Sequence, residues 1–148
     1  MKIVIQRVSE AQLHIGGELY SSISGGVVVL LGITHDDTSA DADYLVSKML
    51  SLRIFDDPQG VMNLSLMDTQ GEVMVVSQFT LYGSAAKGNR PSYIAAARGD
   101  VAKPLYEYFT EQTAQRIKTK VATGSFGADM QVSLVNDGPV TIIIESKK

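Results

Sequence analysis

Seven residues, SQFTLYG at positions 77–83, gather the polar side chains best placed for chemistry. They close the apolar stretch EVMVV with Ser77, Gln78 and Thr80, and the loop-like YGSAAKGNRP follows at once. Polar residues at the end of a core strand, beside a loop, are well placed to line a pocket. Ser77 or Thr80 could attack an ester, or all three could hydrogen-bond a polar substrate. Neither hydroxyl has an evident base beside it, so as a nucleophile it would be unactivated. The same side chains would serve equally to finish a strand with hydrogen bonds.

The familiar catalytic kits are missing. The two histidines, His14 and His35, stand 21 positions apart in or beside expected strands and give no H-x-x-x-H metal spacing. There is no G-x-S-x-G elbow, no P-loop and no G-x-G-x-x-G. The absence of cysteine excludes disulfides, thiolate metal sites and a cysteine nucleophile. The pairs Asp36-Asp37 and Asp56-Asp57 fall at an expected helix start and turn, where acids need no catalytic role.

A second stretch is unusual for its backbone. VNDGPVTIII (residues 135–144) has strand-like residues on both sides of Asn136, Asp137, Gly138 and Pro139. Proline has no N–H for a ladder and is normally confined to strand starts, edges and bulges. Asn-Asp-Gly is turn chemistry, so a plain turn with proline starting the next strand accounts for it. Alternatively the backbone is presented outward there for a purpose.

The elements that must position these residues follow from periodicity. KIVIQRV alternates as a strand, and AQLHIGGELYSSI reads as a hairpin around Gly16-Gly17. GGVVVLLGIT fits a strand buried on both faces. DDTSADADYLVSKMLSLRIF opens with cap residues and spaces Leu45, Met49 and Leu52 at helical intervals. DDPQG is a turn, and NLSLMDTQGEVMVVSQFTL reads as two strands around Thr69, Gln70 and Gly71. A second helix is expected over residues 100–118, with an apolar stripe of Val101, Leu105, Tyr108 or Phe109, and Ile117. Pro104 fits its first turn. VATGSFGADMQVSLV and PVTIIIES finish the chain as strands. With no repeat or linker, the reading is one α+β domain over residues 1–148, mostly antiparallel sheet with two main helices.

Bulk properties agree. The 148 residues are 45% hydrophobic and 20% charged, as in a soluble globular protein with a sizeable core. MKIVIQRVSE has no signal-peptide core, and the longest apolar run, VVVLLGI, is far short of the roughly 20 residues of a membrane helix. A soluble, cytoplasmic protein is expected. The net charge of −3 is unevenly placed. Residues 36–72 carry eight acids and two bases, residues 87–120 seven bases and three acids. A basic face on an acidic protein suits a phosphate backbone, or it is an ordinary solvated helix.

SQFTL (77–81), KGNRPS (87–92) and NDGPVT (136–141) together resemble the D-aminoacyl-tRNA deacylase family. MKIVIQRV, GGVVVLLGI, LRIFDD, MNLS and TGSFGADMQVSLVNDGPVT extend the likeness over nearly the whole chain. The resemblance implies a barrel-like core and a homodimer that hydrolyses D-aminoacyl-tRNA to free D-amino acid and tRNA, and also clears glycine mischarged on alanine tRNA. It implies a site at Ser77, Gln78, Phe79 and Thr80, with backbone N–H groups near Phe79 and Thr80 as an oxyanion hole and the terminal 2′-hydroxyl of the tRNA assisting. It implies a cis Gly138-Pro139 peptide, near Asn136, that enters the partner's site and excludes L side chains. Arg7 would brace that loop, and Phe126 would pack near the terminal adenine. The family needs no metal or other cofactor, and membrane and DNA are not among its partners. Two rivals stand beside it. One is a small-ester hydrolase using Thr80 or Ser77; the other is a non-catalytic RNA-binding dimer, which predicts tRNA binding without turnover.

Overall fold

In-out alternation along the first strand changes phase halfway, and that change shapes the molecule. A computed structural model describes residues 1–147. Strand β1 (Lys2–Ile15) buries Ile3 and Ile5 in one apolar cluster, then Val8, Ala11 and Leu13 in another. Strand β2 (Glu18–Ile23) returns through a two-residue turn with Gly16 at φ 59° and Gly17 at φ 81°, the left-handed pair a tight hairpin requires. Strand β3 (Gly26–Gly32) sends Val27, Val29 and Leu31 into the first cluster and Val28 into the second, so both its faces are buried.

Helix α1 (Ser39–Ser51) starts in a capping box between Thr38 and Asp41 and buries Leu45, Val46 and Met49. Leu52 falls just past its end, as the extended C-cap. The short strands β4 (Phe55–Asp56) and β5 (Met62–Leu64) pair with each other. The segment that follows departs from expectation, because helix α2 (Leu66–Thr69) replaces the end of the first of the two expected strands. The Ser65 hydroxyl accepts from the Asp68 N–H at 3.1 Å, and the Asp68 carboxylate accepts from the Ser65 N–H at 2.9 Å. Those two bonds satisfy the first turn and outweigh the strand-like alternation.

Strand β6 (Glu72–Ser77) runs into one turn of 3-10 helix (Phe79–Tyr82). Helix α3 (Gly99–Arg116) then buries Ala102, Tyr106, Phe109 and Thr113. Of the expected stripe, Phe109 is buried in the core, and Leu105, Tyr108 and Ile117 pack half-buried against it. Val101 is exposed, and Ile117 is the extended C-cap. Small or polar residues hide the true inward face: Thr113 donates its hydroxyl to the Phe109 carbonyl, which lets it lie in the core. Strands β7 (Val121–Thr123) and β8 (Gln131–Glu145) complete the chain.

The main sheet has the order β2-β1-β3-β6-β7, with β8 along the other side of β1. β1 is antiparallel to β2, β3 and β8, whereas β3–β6 and β6–β7 are parallel, each joined by a crossover that carries a helix. Helices α1 and α3 cover one face. The Ser21 hydroxyl of β2 donates to the Thr123 carbonyl of β7 at 2.8 Å, drawing the two ends of the sheet toward a barrel. No helix among the described residues is long and apolar enough to cross a membrane.

Candidate active site

The end of β6 is held against β3, and the chain then turns sharply. The Gln78 N–H donates to the Leu31 carbonyl at 2.8 Å, and Leu81 N–H closes back on the Gln78 carbonyl at 3.2 Å. Phe79 and Thr80 are the first residues of this 3-10 turn, where N–H groups have no partner within the turn itself. Ser77, Gln78 and Phe79 share a cavity of about 280 Å³ with Phe126, Met130 and Val132. Thr80 does not line it, but its hydroxyl accepts a hydrogen bond from the Gln78 amide.

Phe126 is fixed from behind. Its ring meets Tyr106 edge-on at 5.9 Å. Tyr106 in turn donates its hydroxyl to the Val75 carbonyl at 2.7 Å and accepts from the Gly124 N–H at 3.2 Å. Burial pushes the Tyr106 phenol up to about 12. Burial, with Asp37 and Glu145 nearby, does the same to Tyr82, also to about 12. Both phenols stay protonated at neutral pH, and the cavity lining holds no carboxylate, histidine or lysine. Hydrogen-bond donors, an aromatic wall and a thioether make a surface that binds and orients, without a side-chain base.

Three supports of the turn carry no signal in the sequence. Tyr93 packs edge-on against Phe79 at 5.2 Å. Lys2 lies over the Tyr82 ring at 5.1 Å and donates to the Leu81 carbonyl at 3.4 Å. Gly32 seats the turn on β3: a Cβ there would lie 2.9 Å from Leu81 Cβ and 3.3 Å from the Gln78 carbonyl oxygen. Gly32→Ala should therefore push the turn off the strand and cost about 1–3 kcal/mol. Calorimetry would then show a melting temperature several degrees lower, while unchanged melting would mean the turn is not wedged there.

NDGPVT lies outside this cavity. Val8 pairs with Asn136 and Gln6 with Thr141, so residues 137–140 of β8 face Arg7 alone. They form a wide bulge. It falls where β1 and β8 both pass from one core to the other: Val132 and Leu134 pack on the second cluster, Val140, Ile142 and Ile144 on the first. Arg7, buried at 7% exposure, fills the bulge. Its Nε donates to the Asp137 carbonyl at 2.9 Å and its Nη1 to the Ile54 carbonyl at 2.7 Å. The Asp56 and Asp137 carboxylates stand 3.6 and 3.7 Å from the guanidinium. Gly138 has φ 128°, and a Cβ on it would meet Arg7 Nη2 at 2.9 Å, so glycine is required there. The Gly138-Pro139 peptide is cis, and Asn136, Gly138 and Pro139 are exposed. KGNRPS lies in an exposed loop closed by two 2.8 Å bonds between Ser84 and Ser92.

The family model described as D-Tyr-tRNA(Tyr) deacylase matches residues 4–145. The chain is 52% identical to a D-aminoacyl-tRNA deacylase of Thermosipho melanesiensis over 148 residues, covering 100% of this chain and 99% of that one. It is 56% identical to one from Porphyromonas gingivalis over 146 residues, 99% and 97% of the two. Among solved structures, one titled c-Myc DNA Unwinding Element Binding Protein is similar at TM-score 0.95 and 43% identity, over 100% of both chains. A probable eukaryotic D-amino acid tRNA deacylase shares the fold, at TM-score 0.85 and 18% identity over 97% and 98%.

Proposed function

Because this chain belongs to the D-Tyr-tRNA(Tyr) deacylase family, and so is a hydrolase of D-aminoacyl-tRNA, we propose how its own residues perform and restrict that reaction. The cavity beside residues 77–79 takes the terminal adenosine, with Phe126 against the base. Ser77 and Gln78 orient the ester, and the free N–H groups of Phe79 and Thr80 receive the developing oxyanion. The vicinal 2′-hydroxyl of the substrate supplies the working group. One observation carries this reading: the cavity has donors and an aromatic wall but no side chain able to act as base at neutral pH. Water attacks the ester carbonyl, and a hydroxyl that arrives with the substrate to relay the proton to the leaving 3′ oxygen needs only orientation, which can itself account for a large rate enhancement.

In the same reading the bulge at Gly138 and Pro139 acts on the cavity of a second copy, with Asn136 beside it and Arg7 holding it stiff. The outer edge of β8 supports this, since among the described strands β8 pairs only with β1. It also leaves Val135 and Ile143 exposed, at 49% and 64%. A long apolar edge is ordinarily covered. Sedimentation equilibrium should give about twice the 15.9 kDa chain mass, and a monomer would remove the gate from the account.

The test against a general esterase uses two substrates. D-tyrosyl-tRNA should be hydrolysed rapidly, and D-tyrosine ethyl ester, which lacks the ribose hydroxyl and the adenine, hardly at all. Equal turnover of both would favour a small-ester hydrolase, and tRNA binding without turnover a non-catalytic RNA-binding protein.

A further inference from the structure

Phe126 borders two cavities. Beyond it from the one described above lies a second, of about 260 Å³, walled also by Tyr20, Lys103, Glu107, Thr123 and Ser125. We propose that this second cavity is the subsite for the nucleotide preceding the terminal adenosine, so that the enzyme grips its substrate through two successive nucleotides. This rests on the reading of the first cavity as the adenosine site.

The walls match the parts of a cytidine nucleotide, the residue that precedes the terminal adenosine in every tRNA. Tyr20, on β2, is 53% exposed and has no hydrogen-bond partner among the described residues, which leaves a ring for a base to stack on. Lys103 is exposed and makes no ion pair among the described residues, so its ammonium is free for a phosphate. Glu107 follows it by one helical turn on the same face of α3. A carboxylate would repel a phosphate, but it accepts a hydrogen bond from the exocyclic amine of cytosine. The wall shared by the two cavities is rigid, because Tyr106 behind Phe126 is bonded at its hydroxyl to Val75 and Gly124. β2 and β7, which supply Tyr20 and Thr123, are tied by the 2.8 Å bond from Ser21 to the Thr123 carbonyl. Two adjacent pockets with one fixed aromatic wall suit two adjacent nucleotides.

Short substrates separate the two cavities. D-tyrosyl-adenosine reaches only the first, while the D-tyrosyl ester of cytidylyl-adenosine reaches both. For the wild-type protein kcat/KM should rise about 10- to 100-fold from the first ester to the second, as one stacked base and one phosphate contact allow. Tyr20→Ala and Lys103→Ala should each remove about tenfold of that gain. Their rates on D-tyrosyl-adenosine, which also report that the variants are folded, should stay within about twofold. Glu107→Ala should abolish a preference for cytidylyl-adenosine over uridylyl-adenosine. Equal wild-type rates on the two esters would overturn the subsite and leave the first cavity's role intact, as would variants that slow both esters alike. A wild-type protein that cleaves neither ester nor D-tyrosyl-tRNA would overturn both readings together.

Discussion

D-tyrosyl-tRNA whose terminal adenosine lacks its 2′-hydroxyl, with the ester on the 3′ oxygen, should bind normally and hardly turn over. The cavity offers no side chain to replace the missing group: its polar lining is Ser77 and Gln78, and Tyr82 and Tyr106 keep their protons at neutral pH. Removing a group that moves a proton in the transition state costs on the order of 10²–10⁴ in rate. Thr80→Ala removes the partner of the Gln78 amide, and Ser77→Ala one hydroxyl of the lining. Each loses about one hydrogen bond, roughly a fivefold to tenfold effect. Loss of a true covalent nucleophile would instead cost ~10⁶. Single-turnover rates, with binding measured separately by filter retention, decide the matter. A deoxy substrate cleaved at near-normal rate, together with an inactive Thr80→Ala, would make the threonine the nucleophile.

Much of the scaffold was legible because its signals are local. The buried strand GGVVVLLGIT, the Gly16-Gly17 hairpin and the capped start of α1 each declare themselves within about ten residues. The errors have local causes too. Ser65 and Asp68 form a capping box inside strand-like alternation, so the pattern of α2 reads as strand. Ala102 and Thr113 conceal the inward face of α3, so periodicity alone assigns Val101 to the core.

The site divides the same way. Polar residues ending an apolar strand marked Ser77, Gln78 and Thr80, whereas Phe126 and Arg7 came from a family resemblance. Nothing near Gly32 or Tyr93 in sequence shows that they seat the 3-10 turn, since their partners are 49 and 14 positions away, at Leu81 and Phe79 respectively for the two contacts. Of the two readings of NDGPVT, register excludes the plain turn and leaves a bulge with exposed backbone. The chain neither simply turns nor continues as a regular strand, because β8 carries extra residues opposite Arg7, a partner about 130 positions earlier.

With the proposed gate in place, the site would admit an ester by what its α-carbon lacks on one side. The proposed gate is backbone, at Gly138 and Pro139, braced by buried Arg7 through the Asp137 and Ile54 carbonyls. Backbone held this way yields little, so in the proposed gate it would act as a repulsive element against L side chains. Discrimination of at least about 10³ corresponds to about 4 kcal/mol of differential transition-state stabilisation. Arg7→Ala would leave two carbonyls without their partner and free the bulge to move, so the D-to-L ratio should narrow in that variant. Glycine has no Cβ to reject and should pass. The most direct measurement compares first-order deacylation of D-tyrosyl-, L-tyrosyl- and glycyl-tRNA by the purified wild-type protein under one set of conditions. The D-tyrosyl and glycyl esters should be lost rapidly and the L-tyrosyl ester should survive at its spontaneous rate; cleavage of L-tyrosyl-tRNA at a rate comparable to its D counterpart would rule out the gate.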